Sequence, residues 1–324
     1  MTKAHVVAGC TVAAVLALLA ACGGTKPAAD AAGSAATTAT TALPGQGRPP
    51  VTVGDTNTYP EQFVLGALYQ QALMAQGYSV TVNRNIGPVE VRVKALESGT
   101  VSVYPEYIDM WDSSVAGYKG RFRTAHAAFE AGQQYALLND MQLLNPTPFS
   151  DTGGLAVKVP YAVQNALSSV GDLRKVQATL TIGGPPQFQT DSPGLNQVEQ
   201  SYGFVPTSFQ ALAVGSQYSA LDQNAIQAAA INTTDGELAS GQYFVLTDPR
   251  HVFGWGNVVP VVSQKALVQE GPAFMATINE VDKLLTQRVM RELNADVAVL
   301  NEDPVKVAKQ FLQAHHLVPQ SQSG

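Results

Sequence analysis

The chain has 324 residues, with 19 Lys and Arg against 25 Asp and Glu and a formal net charge of −6. Charged residues make up 14%, below the roughly 25% of an ordinary globular protein, while an apolar share of 45% is enough for a sizeable core. This balance excludes a disordered or fibrous chain, and the lack of any basic block excludes a sequence-independent grip on nucleic acid.

Both cysteines, Cys10 and Cys22, stand at the front, so the body has neither a disulfide framework nor a cysteine metal site. Val6 to Ala20 is an uncharged apolar run behind Lys3, shorter than the about 20 residues of a membrane span, and reads as a secretory signal peptide over 1–21. It ends Leu19-Ala20-Ala21-Cys22-Gly23, which resembles a bacterial lipobox with Cys22 as the lipid attachment point. Residues 22–50, rich in Ala, Thr, Gly and Pro, read as a flexible tether.

The body alternates strand and helix signals. Val51 to Val53 predicts a strand, and Val64, Leu65, Leu68, Ala72 and Ala75 recur at helical spacing within 61–76, closed by Gly77. A strand at Tyr78, Val80 and Val82, a helix over 89–98 stopped by Gly99, and a strand over 101–104 ending at Pro105 follow. That order implies a parallel sheet with helices on both faces and a ligand crevice beyond the strands' carboxyl ends. A second unit has strands at 155–159, 178–182, 211–214 and around Ile231, with helices at 161–170, 196–202 and from Ala220. Strands at 245–246 and 258–262 are expected to return to the first lobe, before helices at 272–291 and 304–314. The fold class is α/β in two lobes, 51–150 plus 247–324 and 151–246, each a sheet flanked by helices, with the cleft between them.

No phosphate loop, nucleophile elbow or zincin motif is present, which argues against an enzyme and implies no cofactor and no metal. His315 and His316 read as a solvated helix end, and His251 lies in the Asp248-Pro249-Arg250-His251 turn, which by default is surface but could face the cleft. Glu106 and Asp109 read as capping or solvated carboxylates rather than an acid–base pair. Aromatic residues are more informative. Tyr104, Tyr107 and Trp111 follow the third strand where the crevice is expected, and Phe253 and Trp255 sit in a Gly-rich loop. Together they suit a box for a cation or a flat ring.

Glu61-Gln62-Phe63-Val64-Leu65-Gly66, Val103-Tyr104-Pro105-Glu106-Tyr107, Thr234-Asp235-Gly236-Glu237-Leu238 and Asp303-Pro304-Val305-Lys306-Val307-Ala308 resemble motifs of the substrate-binding proteins of osmoprotectant ABC transporters, which bind glycine betaine, choline or carnitine. The resemblance spans about 51–319 and implies a type II periplasmic-binding-protein fold that closes on its ligand. It also implies a small-molecule ligand, permease and ATPase partners, a monomer, and an extracytoplasmic receptor anchored to the cell membrane through its lipid.

The family's pattern is a cage of tyrosines, of which Tyr107 keeps one. The others fall at Gly153, Asn232 and Gly256, with Trp255 beside the last, and the carboxylate-binding arginine falls at or near Asp191. Two ligand readings follow. One keeps a compatible solute such as glycine betaine in a cage rebuilt from Tyr107, Trp255, Phe253 and Tyr104. The other has Gly153 and Gly256 enlarging the pocket for a bulkier flat or polyhydroxylated ligand, with Asn57, Asp151, Gln187 and Asn232 as polar contacts.

Overall fold

The computed structural model describes residues 42–57 and 59–320. The expected signal segment 1–21 and Cys22 lie outside the described residues. The last part of the expected tether does not behave as one, because Gly45 N–H donates to Gln76 O (2.9 Å) and Arg48 Nη1 to Gln269 O (2.9 Å). A β-carbon at Gly45 would stand 2.3 Å from the Tyr78 nitrogen, so residues 42–50 dock on the body through a contact that glycine permits.

In chain order, β1 (Val51–Gly54), α1 (Pro60–Ala75), β2 (Val80–Asn83), α2 (Val89–Glu97) and β3 (Val103–Tyr107) follow the expected alternation. Pro60 opens α1, where its missing N–H costs nothing, and Gly77 and Gly99 take positive φ just past α1 and α2. β3 runs on through Pro105, where the sequence suggested an end. Pro105 lies opposite Pro260 in an antiparallel pair, a position that requires no N–H from either. Then come α3 (Ala125–Leu138), capped by the Thr124 hydroxyl, and β4 (Met141–Leu143), neither of them signalled by the sequence.

The second unit comprises β5 (Gly153–Lys158), β6 (Thr181–Gly184), α4 (Leu195–Tyr202), β7 (Ser208–Ala211), β8 (Ala228–Asn232) and β9 (Tyr243–Val245). β7 lies three residues ahead of the expected strand because its register with β6 pairs Ser208 through Ala211 with Thr181 through Gly184, leaving Val214 83% exposed. The helix expected over 161–170 is confined to Val159–Gln164. β9 does not return to the first lobe, since it pairs with β5. β10 (Val258–Ser263) does, followed by α5 (Pro272–Leu284), α6 (Gln287–Asn294) and α7 (Pro304–Ala314). One helix was expected over 272–291, but Thr286 caps a new one through its hydroxyl to Val289 N–H.

Among the described residues there are two five-stranded sheets, ordered β2-β1-β3-β10-β4 and β7-β6-β8-β5-β9. Each is mixed rather than parallel: three parallel strands, then the strand arriving from the other lobe, which runs antiparallel. Apolar clusters pack both sheets, with Val51, Leu65, Leu68 and Phe274 in the first lobe and Leu155, Ile182, Val198 and Phe253 in the second. The lobes meet where the two crossing segments run antiparallel. Asp151 N–H donates to Gly256 O (2.9 Å), Gly256 N–H to Ser150 Oγ (3.0 Å) and Asn257 Nδ2 to Phe149 O (3.1 Å). From α6, Gln287 Nε2 and Arg291 Nε donate to Thr233 O, and Asn294 Nδ2 to Thr234 O, at 2.7–2.8 Å. No helix among the described residues is long and apolar enough to cross a membrane.

Candidate functional site

The carboxyl ends of β1 and β3 face the crossing. Tyr59, at the start of α1, meets Tyr107, at the end of β3, edge to face at 5.3 Å. The Tyr107 hydroxyl donates to Glu61 Oε1 at 2.5 Å, and Asn294 Nδ2 to Glu61 Oε2 at 3.1 Å. Glu61 and Asp151 are both buried here. Burial pushes both carboxyls up, and the Glu61 charge raises Asp151 further. Burial, followed by the charges of Asp151 and Asp109, pushes the Tyr59 hydroxyl up to about 12.

Asp109 also borders a cavity of about 320 Å³ between the lobes. On the first lobe it is lined by Asp109, Met110, Asp112, Tyr118, Arg121 and Phe122, and on the other side by Ser192, Pro193, His251, Phe253 and Trp255. Trp255 Nε1–H donates to Phe122 O (2.9 Å), which fixes the indole, and the His251 ring lies 4.1 Å from it. Phe253 stacks on Phe188 at 6.3 Å. Asp112 is 3% exposed and neither carboxylate oxygen has a hydrogen-bond partner in the described residues. Burial, reinforced by Asp109, pushes its carboxyl up to about 7, and burial pushes Asp109 up to about 6.

The structure separates the sequence's candidates. Tyr107 and Asp151 fall in the buried cluster, while Phe253 and Trp255 line the cavity. Tyr104, expected in the cage, is fully buried on the opposite face of β3, because residues three apart on a strand point opposite ways. Its ring lies 5.8 Å from the Arg92 guanidinium, which pairs with Glu106 at 3.1 Å. Trp111 is likewise core, donating to Gly132 O. Asn57 and Gln187 are exposed, and Asn232 is half-buried with its N–H on Asp235 Oδ2.

Neither glycine enlarges a pocket. A β-carbon at Gly153 would stand 3.0 Å from the Phe253 ring, which fills that space, and one at Gly256 would stand 1.7 Å from Asp151 O. The enlarged-pocket reading is therefore not favoured. Asp112, Arg121 and Phe122 carry no motif in the sequence, and of the two places open to His251, a surface turn or the cleft, it takes the cleft. The one signal for the first three was their place just beyond a strand's carboxyl end.

The family profile described as the substrate binding domain of ABC-type glycine betaine transport system matches residues 49–314. The chain belongs to this family. As a member it is the extracytoplasmic substrate-binding component of an ABC importer, working with permease and ATPase subunits. It is 31% identical over 280 residues to a glycine-betaine-binding protein of Pseudomonas aeruginosa, covering 82% of this chain and 88% of that one. Among solved structures it is similar to one titled a glycine betaine/carnitine/choline ABC transporter (TM-score 0.77, 23% identity, 82% of this chain and 99% of that one). Another is apo YehZ from Escherichia coli (TM-score 0.74, 26% identity, 83% and 99%). The two-lobed type II fold is shared with this substrate-binding family.

Proposed function

We propose that this substrate-binding protein captures glycine betaine, or a solute of the same chemistry, in the cavity between its lobes. One observation carries the reading: the cavity pairs aromatic faces (Trp255, Phe253, Phe122) with the carboxyls of Asp109 and Asp112. A quaternary ammonium cannot donate hydrogen bonds, so rings and nearby negative charge are what can hold it, each cation–π contact contributing roughly 0.5–2 kcal/mol. Closure turns about the crossing segments, beside which the buried cluster of Tyr107, Tyr59 and Asp151 lies. The protein acts as a monomer without catalysis, tethered through lipid at Cys22.

Titration of the body, residues 42–324, with glycine betaine, carnitine and choline tests this through tryptophan fluorescence. Saturable change with glycine betaine is expected. A flat response to all three, from protein folded by circular dichroism, would falsify the reading.

A further inference from the structure

Glu106, expected from the sequence as a capping or solvated carboxylate, is wholly buried. It pairs with Arg92 of α2, itself buried, at 3.1 Å between Oε2 and Nη2. The pair is short of further partners. Among the described residues, neither Arg92 Nε nor the hydroxyl of Tyr104, whose ring faces the guanidinium, makes a hydrogen bond. A buried ion pair with missing hydrogen bonds does not fully offset its desolvation, so stability is a weak account of it.

Its place at the end of β3 gives a better one. Ile108 N–H donates to Asn257 O, on the β10 side, and the alternation of strand N–H groups turns that of Tyr107 to the β1 side. There β1 has already ended at Gly54, since its register pairs Val53 with Val103 and leaves Tyr107 beyond its reach. Glu106 Oε1 accepts the Tyr107 N–H instead, at 3.0 Å. On the opposite face of the strand the Tyr107 hydroxyl donates to Glu61. From this point the chain turns to carry Asp109, Met110 and Asp112 into the cavity wall.

We propose that Glu106, oriented by Arg92, is a positioning residue of the cleft: by accepting the Tyr107 N–H it sets where the wall bearing Asp109 and Asp112 stands. The proposal deepens the betaine reading above, on which its choice of ligand rests. It gives the pair a role in binding that is separable from its effect on stability.

The test compares the wild type with Arg92→Met/Glu106→Leu and Arg92→Met/Glu106→Gln. It reads thermal melting, calorimetric titration with glycine betaine, and amide hydrogen exchange over residues 107–112. The Met/Leu variant, with an apolar pair of similar size, is expected to melt within a few degrees of the wild type or above it. It should nevertheless lose roughly tenfold in affinity, the equivalent of one hydrogen bond, and exchange faster over 107–112. The Met/Gln variant restores a neutral acceptor and should recover most of both losses. A merely structural pair would instead let affinity follow stability. The proposal is overturned by a Met/Leu variant that melts far below the wild type, binds as tightly or exchanges as slowly. A Met/Gln variant no better than Met/Leu overturns it too. A wild type that does not bind glycine betaine overturns the betaine reading alone, and the exchange rates still decide the role of Glu106.

Discussion

The Phe253 ring lies over Gly153 so closely that a β-carbon there would stand 3.0 Å from its Cδ1. An aromatic ring thus reaches the start of β5 from the returning crossing segment rather than from β5 itself. Gly153→Tyr should therefore destabilise the protein by about 1–3 kcal/mol through overpacking. Combined with Phe253→Ala, which empties the same space, the two losses should be less than additive in urea unfolding. Additive losses would mean that the two residues do not share that volume.

Gly256 is fixed by backbone contact. With the Asp151 carbonyl 1.7 Å from where its β-carbon would be, Gly256→Ala must push the two crossing segments apart. A loss upwards of about 3 kcal/mol is expected. Thermal and urea unfolding would read it, and a variant as stable as its parent would show that the segments can separate freely.

Asp112 makes stability and binding respond oppositely to pH. Its folded value of about 7 lies above the ordinary 3.8, so the folded state binds the proton more tightly than the unfolded chain. Stability from this group is present below about pH 4 and is lost as pH rises toward 7. Glu106, also raised to about 7 by burial, and Asp235, raised to about 6, contribute in the same sense. Asp112→Asn should raise the melting temperature at pH 7.5 and change it little at pH 4. A cationic group in the cleft favours the ionised form, so glycine betaine affinity should rise from pH 5.5 to 7.5 in the wild type and respond less to pH in Asp112→Asn. An unchanged stability slope in the variant would remove Asp112 as its source.

Trp255 lines the cavity, whereas Trp111 is fully buried and donates to Gly132 O, so the two indoles report different places. Trp255→Phe should abolish the ligand-dependent fluorescence change and weaken binding by a few-fold, since phenylalanine is the poorer cation–π face. Trp111→Phe should keep the change. A signal retained in Trp255→Phe would move the ligand away from this wall.

How far the fold could be read from the sequence follows local chemistry. Pro304 with Asp303 as its cap marked α7, and Gly77 and Gly99 marked the ends of α1 and α2, because caps and positive-φ turns are encoded within a few residues. α3 is not legible in the sequence because its Ala-rich run has little apolar contrast, and β7 is displaced because its register is set by β6, 27 residues away. The aromatic candidates divided for a similar reason. Placing Tyr104 in the core and Tyr107 at the crossing depends on β3 continuing past Pro105, which in turn depends on Pro260 opposite. Asp112 on the first lobe meets His251 only through the crossing of the lobes, which no local pattern records.

Gln287, Arg291 and Asn294 lie along one stripe of α6 and all hold the turn after β8, while Met290 and Leu293 of the same helix are buried in the first lobe's core. This helix is therefore a bearing rather than a linker. It is rooted in one lobe and bonded to the backbone of the other. The lobes are pinned along that line, and rotation about it leaves their separation there almost constant while swinging the remote edges through the largest arc. Capture and release then require no chain to stretch, only the pinned halves to turn.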